Sequence, residues 1–447
     1  MAGAADHLDA AIRALKAKTP KDAVPPLRAF LALEPDEPDA WSLLAETLTA
    51  LGEAEAALEA LDRTLTLSPQ DDGALFHRAK VLDDLERPQQ ALVDQEALAE
   101  RHPTNTNVLH NLALLRRHAG DTEGSEAVLR RLLTLAPDRQ DSRLALAHAL
   151  LARGAWAEGF ALYEARLALP GWQRAALTAP SWDGSALEGR SLLVTAEQGL
   201  GDGVQFLRYL PQISGAGRVI VECHAPLRRL IEAIPTVDLV VPFSPEGNLP
   251  PTDLRVALGS LPGLIAQGAP LEDAVPYPPF PLAPVTPPIT ETPRKGTGLA
   301  LGMVWRSSDR PELRRDPPRE ALASLSACPG IRWTSLQWGD ASPSFPPPFP
   351  MDMAPIAQAR DLLDTARIID SLDGVVTVDT VVAHLAGAMG KPCWVLLGSR
   401  PDWRWGNGAP ITPWYPTARL FRREQNPWRT PLTALIDSLL EALVRSL

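Results

Sequence analysis

Residues 35–68 read PDEPDAWSLLAETLTALGEAEAALEALDRTLTLS, and the same plan returns along the chain without slippage. Prolines stand at 35, 69, 103 and 137, a spacing of 34 residues. Six residues after each proline come Trp41, Leu75, Leu109 and Arg143, and ten after it Ala45, Ala79, Ala113 and Ala147. Seventeen after it come Gly52, Glu86, Gly120 and Gly154, and a second helix opens near Ala57, Ala91, Ser125 and Gly159. Small residues at fixed positions let paired helices approach closely. A glycine breaks the chain between the two helices, and a proline opens the link to the next pair. One such pair cannot bury its own apolar face, so neighbours must stack.

These columns resemble tetratricopeptide repeats. A degenerate first repeat matches through Ala23, Leu27 and Leu31, and a closing one carries Trp156, Phe160 and Tyr163, so the array is expected to span residues 1–170. Stacked repeats of this kind curve into a superhelix whose concave wall grips a peptide or protein, which implies a protein partner but no chemistry.

The remaining sequence follows a different rhythm. SLLVTA, RVIVECHA, DLVVPFS and DLRVALG are short apolar runs that read as strands, with QFLRYLPQI and LRRLIEAI as helices between them. After the proline-dense stretch VPYPPFPLAPVTPPITETP (275–293), stiff and poor in donors and therefore an interdomain linker, come further strands in GLALGMVW, IRWTSLQW, DGVVTV and CWVLLG. An amphipathic helix, LTALIDSLLEALVRSL, closes the chain. Alternating strands and helices imply parallel sheets covered on both faces. The expected organisation is α plus α/β: repeats over 1–170, then α/β lobes over 187–290 and 295–447. That agrees with the soft prior of about 150 residues per domain.

A net charge of -11 and a pI near 5.3 supply no basic surface for nucleic acid. Short runs such as Arg314, Arg315 and Arg319 do not reverse this. The N-terminus reads as an amphipathic helix without a signal-peptide core, and no later stretch is apolar for long enough to span a membrane, so a soluble, cytoplasmic protein is expected. Cys223, Cys328 and Cys393 are far apart and sit in or beside apolar runs, which points to buried thiols and away from disulfides or a metal site.

Ligands of parallel α/β sheets bind beyond the carboxyl ends of the strands, and two loops there stand out. In EQGLGDGVQFLRYLP, Gly199, Gly201 and Gly203 permit close approach of backbone to a ligand, and Asp202 sits where a helix begins. Asp202 is equally readable as a helix cap. In VTVDTVVAHLAGAMGKPCWVLLG a strand ends at Val378, Asp379 and Thr380 open a helix, and Thr380 and His384, four apart, share a face. Backbone N–H groups, a hydroxyl and an imidazole there suit a phosphate or diphosphate. The alternative is tight helix-on-sheet packing with His384 as an interior histidine. Trp403, Trp405, Trp414 and Trp428 could stack on sugars, but their crowding among Pro and Arg favours loop packing, and Trp305 reads as buried strand-end bulk.

DTVVAHLAGAMGKPCWVLLG, GLGDGVQFLRYLP, and the tail PDWRW with PWYPTARLFR resemble bacterial tetratricopeptide-repeat proteins carrying a glycosyltransferase domain related to the lipopolysaccharide heptosyltransferases. The order of parts is similar to O-GlcNAc transferases and to flagellin glycosyltransferases of some alphaproteobacteria. The resemblance implies a GT-B fold with the acceptor on the first lobe, a nucleotide-sugar on the second, and inverting transfer. It implies Asp202 as general base, with Gly201, Gly203 and Gln205 near the acceptor. Asp379, Thr380, His384 and Gln337 match the donor side, together with Arg306 and Ser307. No cofactor is implied beyond the nucleotide-sugar co-substrate, and no Asp-x-Asp follows residue 170, consistent with metal-independent transfer. Trp305, Arg306, Ser307 and Ser308 replace the usual Trp-Ala-Gly-Asn. The expected function is therefore modification of a protein recruited by the repeats, flagellin being one candidate. The alternatives are an inactive scaffold or a glycan-acceptor enzyme.

Overall fold

The computed structural model describes residues 3–170, 177–244, 249–265, 298–307, 316–338, 346–423 and 428–446. The linker expected at 275–293, Ser308, Arg314 and Arg315 lie outside them. The chain forms two compact units, Met1–Ala149 and Leu150–Leu447.

The first unit is helical: α1 (Ala4–Lys16), α2 (Pro20–Leu33), α3 (Pro38–Ala50), α4 (Ala54–Leu67), α5 (Asp72–Asp84), α6 (Pro88–Arg101), α7 (Thr106–His118), α8 (Thr122–Leu135) and α9 (Gln140–Ala152), within which the division falls. Each of α1–α7 packs on the next. The column Ala45, Ala79, Ala113 and Ala147 is buried throughout, as are Ala23, Leu27 and Leu31 of the degenerate repeat. Side-chain oxygens of Asp71, Asn105 and Asp121 cap α5, α7 and α8 by accepting from backbone N–H groups that a helix start leaves unpaired. The turn after each first helix needs a left-handed residue. Gly52 and Gly120 supply it at φ 79° and 90°, and Glu86 adopts 59° in the same place. Among buried polar groups, Asp94 holds Arg78 through two bonds of 2.7 and 2.8 Å, and Gln95 Nε2 donates to the Val108 carbonyl at 2.9 Å.

The second unit opens with α10 (Trp156–Tyr163) and a 3-10 turn, Glu164–Ala168. These residues, expected to close the repeat array, instead pack into the second unit. Phe160 meets Trp403 and Trp414 edge-on at 6.1 and 6.4 Å, and Trp156 meets Trp414 at 5.3 Å. One sheet contains β1 (Ser191–Thr195), β2 (Arg218–Cys223), β3 (Leu239–Pro242) and β4 (Leu254–Ala257), all parallel, in the order β3-β2-β1-β4. The connector 177–190 is tied to its edge, Trp182 N–H donating to the Arg255 carbonyl at 2.7 Å. The other sheet contains β5 (Leu299–Met303), β6 (Ile331–Ser335), β7 (Gly374–Val378), β8 (Cys393–Leu397) and β9 (Ala418–Arg422), parallel in the order β6-β5-β7-β8-β9. Every residue of β5, β7 and β8 is buried, as strands sandwiched between helical layers require.

The accompanying helices are α11 (Leu200–Phe206), α12 (Arg228–Glu232), α13 (Leu261–Ile265), α14 (Arg319–Leu322), α15 (Ala354–Ala357), α16 (Leu362–Asp370), α17 (Val381–Ala388) and α18 (Arg429–Ser446). The helix expected over QFLRYLPQI starts earlier, at Leu200, and tightens into a 3-10 turn over Leu207–Gln212. Pro211 has no N–H for the next α-helical bond, so a regular helix cannot run through it. All three cysteines are free and buried. Among the described residues no helix is long and apolar enough to cross a membrane.

Candidate functional site

Each sheet reverses its strand order once, between β1 and β4 and between β5 and β7, and the loops beyond those carboxyl ends are where a parallel sheet opens a crevice. A small pocket lies there in the first sheet, bounded by Glu197 and Gln198 after β1, by Cys223 at the end of β2 and His224 after it, by Gly259 after β4, and by Asp202 of α11.

Gly199 is the N-cap of α11. Its N–H donates to Asp202 Oδ2 at 3.0 Å, so the carboxylate closes its own helix start. Asp202 is thus not the N-cap itself but caps from the third helical position, and only one oxygen is spent on this. The other pairs with the Arg404 guanidinium, and the side chain keeps a quarter of its surface exposed. Burial pushes the Asp202 carboxyl above the ordinary carboxylate range, with Arg404 pulling the opposite way.

Gly201 sits against the His384 ring. A Cβ at this position would come within 2.8 Å of His384 Cδ2, so only glycine lets α11 and α17 close on each other. Gly203 is held just as tightly, with 2.5 Å between its would-be Cβ and Leu227 Cδ1. Gln205, expected beside the acceptor, is 0% exposed and belongs to the interior. It faces inward from α11 while Asp202, one turn earlier, faces the pocket.

In the second sheet Thr380 is the N-cap of α17, its Oγ1 accepting from Val382 N–H at 3.3 Å and lying 3.1 Å from Thr377 Oγ1. Asp379 precedes it at the buried strand end. His384 is 5% exposed. Its Nδ1 shares a 2.8 Å hydrogen bond with the Tyr415 hydroxyl, and its ring stacks at 5.1 Å on Trp405. The interior-histidine alternative describes it: the residue faces Gly201 and Tyr415, not an open phosphate site. Gln337 likewise turns into the protein. Its Oε1 accepts from Trp305 and Arg306 N–H at 3.2 and 3.1 Å, and its Nε2 donates back to the Arg306 carbonyl at 3.1 Å. It is a clamp on the loop after β5, not a group left over for a nucleotide. In that loop Ser307 N–H donates to both oxygens of Asp316. Trp305, Trp403, Trp405, Trp414 and Trp428 are all buried, in keeping with packing roles.

Two buried arginines beside the pocket went unread in the sequence. Arg166, 1% exposed, bonds Glu197 Oε1 at 2.9 Å, Glu164 Oε1 at 2.9 Å and Ser260 Oγ at 2.9 Å, fastening the chain after α10 to the pocket rim. Burial raises the Glu197 carboxyl, against the pull of Arg166. Arg404, in the 3-10 turn Trp403–Trp405, reaches Asp402 Oδ1 at 2.8 Å and Gln198 Oε1 at 3.2 Å besides Asp202. The signal for Arg404 was present in the motif PDWRW, whose tryptophans drew the reading and whose arginine did not.

The tetratricopeptide-repeat family matches residues 14–82. The N-terminal region carries tetratricopeptide repeats. Protein FlbA of Caulobacter vibrioides (strain ATCC 19089 / CIP 103742 / CB 15) is 28% identical over 456 residues, covering 94% of this chain and 70% of that one. Among solved structures, MamA protein covers 37% of this chain and 90% of its own at 13% identity, with a TM-score of 0.35. MamA residues 41–end from Desulfovibrio magneticus RS-1 covers 38% and 96% at 19% identity and a TM-score of 0.35. YrrB, described as a TPR protein with an unusual peptide-binding site, covers 37% and 86% at 12% identity and a TM-score of 0.34.

Proposed function

We propose that this protein is a nucleotide-sugar-dependent glycosyltransferase of GT-B organisation that modifies a protein acceptor held by the repeats. One observation carries the reading: α11, with Asp202 at its head, packs directly on α17, with His384 on its inner face, so that loops at the carboxyl ends of both sheets meet at one place. An acid from one sheet paired with a loop beyond the strands of the other is the kind of arrangement that transfer between two bound substrates requires.

In this reading the Asp202 carboxylate takes the proton of an acceptor hydroxyl. The freed oxygen attacks the anomeric carbon, forming the glycosidic bond as the bond from that carbon to the nucleotide phosphate breaks. The leaving phosphate departs against Thr380 and the loop bearing Arg306 and Ser307. Flagellin is one candidate acceptor, by the family resemblance alone.

A thermal-shift screen with UDP-, GDP-, ADP- and CMP-linked sugars tests this. A donor at 100 times its Kd should stabilise the second unit by about 2.7 kcal/mol. A chain lacking residues 1–149 should bind the same donor and fail to modify a protein. The second reading, a scaffold whose α/β unit has no transferase activity, is favoured by one fact: His384 and Gln337 already have protein partners for their polar atoms. Absence of any stabilisation across the four donor classes would support it.

A further inference from the structure

We propose that Arg404, carried by the loop after β8 of the second sheet, is the positioning residue of Asp202 on the first sheet, holding and charge-balancing that carboxylate only while the two sheets' binding faces are joined. This rests on the transferase reading of Asp202.

Arg404 is 5% exposed, and a buried cation needs acceptors close by; Nη1 and Nη2 have them, while Nε is left without one. The turn that carries it is braced on its own side. Asp402 Oδ1 accepts from Arg404 N at 3.0 Å and from Nη1 at 2.8 Å, and Thr412 Oγ1 donates to the Arg404 carbonyl at 2.8 Å. The guanidinium lies between two rings, 4.4 Å from Trp403 of its own loop and 5.5 Å from Phe206 of α11. Its Nη2 then faces three groups of the other side: Asp202, Gln198 Oε1 at 3.2 Å and the Tyr163 hydroxyl at 3.4 Å. So placed, it has little freedom to turn elsewhere.

Asp202 has the complementary geometry. Gly199 N–H occupies one oxygen and Arg404 the other, which leaves a further lone pair on each for an acceptor hydroxyl. The titratable groups around it are Arg404, Asp402 and the neutral Tyr163 phenol, with Glu197, Glu222 and His224 across the pocket. Asp402 repels the Asp202 charge and burial disfavours it. Arg404 is the charged group that favours it, and the Gly199 N–H adds a smaller pull in the same direction. Separating the two sheets would take Arg404 away with β8 and leave a half-buried carboxylate beside Gly199 alone. Two other arginines tie the same sheets, Arg229 to Asp361 and Asp364 and Arg208 to the Trp414 carbonyl. Of these three, Arg404 is the one that ends on the acid.

Two measurements on the full chain test this. The first is a thermal-unfolding cycle at pH 7 with Arg404→Gln, Asp202→Asn and both together. Coupling should appear as a non-additivity of roughly 2–4 °C, and strictly additive shifts overturn the proposal. If Arg404→Gln fails to fold, Arg404→Lys takes its place in the cycle. The second measurement is nucleotide release from the four linked sugars with a protein acceptor as a function of pH. Arg404→Gln should lower kcat at pH 7 by about tenfold or more, leave KM for the donor within a factor of about two, and move the acid limb upward by about one unit. Arg404→Lys should restore part of that limb. An unmoved limb with undiminished kcat overturns the proposal. No release by the unsubstituted protein counts against the transferase reading alone, and the unfolding cycle still decides whether Arg404 governs Asp202.

Discussion

The repeat unit and the two-sheet unit are held together over different distances along the chain. In the repeats, side-chain bonds reach about one repeat along the chain: Ser125 to Ala113 over 12 residues, Gln95 to Val108 over 13, Arg78 to Asp94 and Asp62 over 16 each, and His110 to Ser142 over 32. In the two-sheet unit, Arg404 reaches Gln198 across 206 residues and Tyr163 across 241, and Arg208 reaches Trp414 across 206. Stability in the first is a sum over adjacent pairs of helices, whereas in the second a few side chains bear on segments that meet only in the finished fold. Damage should therefore stay local in one unit and spread in the other.

The largest effect is expected at Trp405, 0% exposed and packed on both His384 and Tyr415. Trp405→Ala should cost the two-sheet unit about 3–5 kcal/mol in denaturant unfolding and expose α11 and α17 together to hydrogen exchange. Protection lost in only one of these helices would contradict shared packing. Next comes Ala79→Leu in the repeats, which overfills a column that is 1% exposed and should cost about 1–3 kcal/mol. Exchange should rise in α5, α6 and their immediate neighbours while α1 stays protected. A loss of protection through the whole array would show that the repeats behave as one block.

A gain is expected at Glu86, which holds φ 59° where its counterparts are glycines. Glu86→Gly should stabilise the repeats by about 0.5–1 kcal/mol, since relief of the left-handed strain outweighs the extra chain entropy. A lower melting temperature for this variant would mean that the contacts of the Glu86 side chain matter more than its backbone. The smallest effect concerns pH. The folded Asp202 carboxyl is raised by burial, so the native state binds that proton more tightly than the unfolded chain does. The resulting stabilisation is complete below the ordinary carboxylate range and fades as pH climbs through the raised native value. The melting temperature of the unsubstituted protein minus that of Asp202→Asn should accordingly fall by about 2 °C between pH 4 and pH 7. A difference that grows with pH would reverse the sign and mean that Arg404 outweighs burial.

How far the sequence could be read follows the same division. Ala45, Ala79 and Ala113 recur because each packing position depends on neighbours one repeat away, so the pattern and the contact lie on the same stretch of chain. Eight strands announced themselves as apolar runs. β9 did not, because it is an edge strand of the sheet in which Ala418 and Leu420 are buried and Arg419 is exposed, between prolines and arginines that read as loop. α16 did carry a readable signal in Asp361, whose side chain caps the helix by accepting from Leu363 and Asp364 N–H. At the site, the glycines around Asp202 and the helix start at Thr380 were visible as local punctuation. The engagement of His384 with Tyr415 and of Gln337 with the Arg306 loop was not, since neither partner is near in sequence.

The order of residues alone settled the period of 34, the helical pairs it implies, the alternation of strand and helix that follows, and the acid at the head of α11. Each of these depends on backbone preference and apolar spacing within one short segment. Which groups balance that acid, which histidine is interior, and where the chain after the repeats is anchored were settled only by folding. Buried charges and close-packed rings take their meaning from partners that the packed sheets bring within a few ångströms.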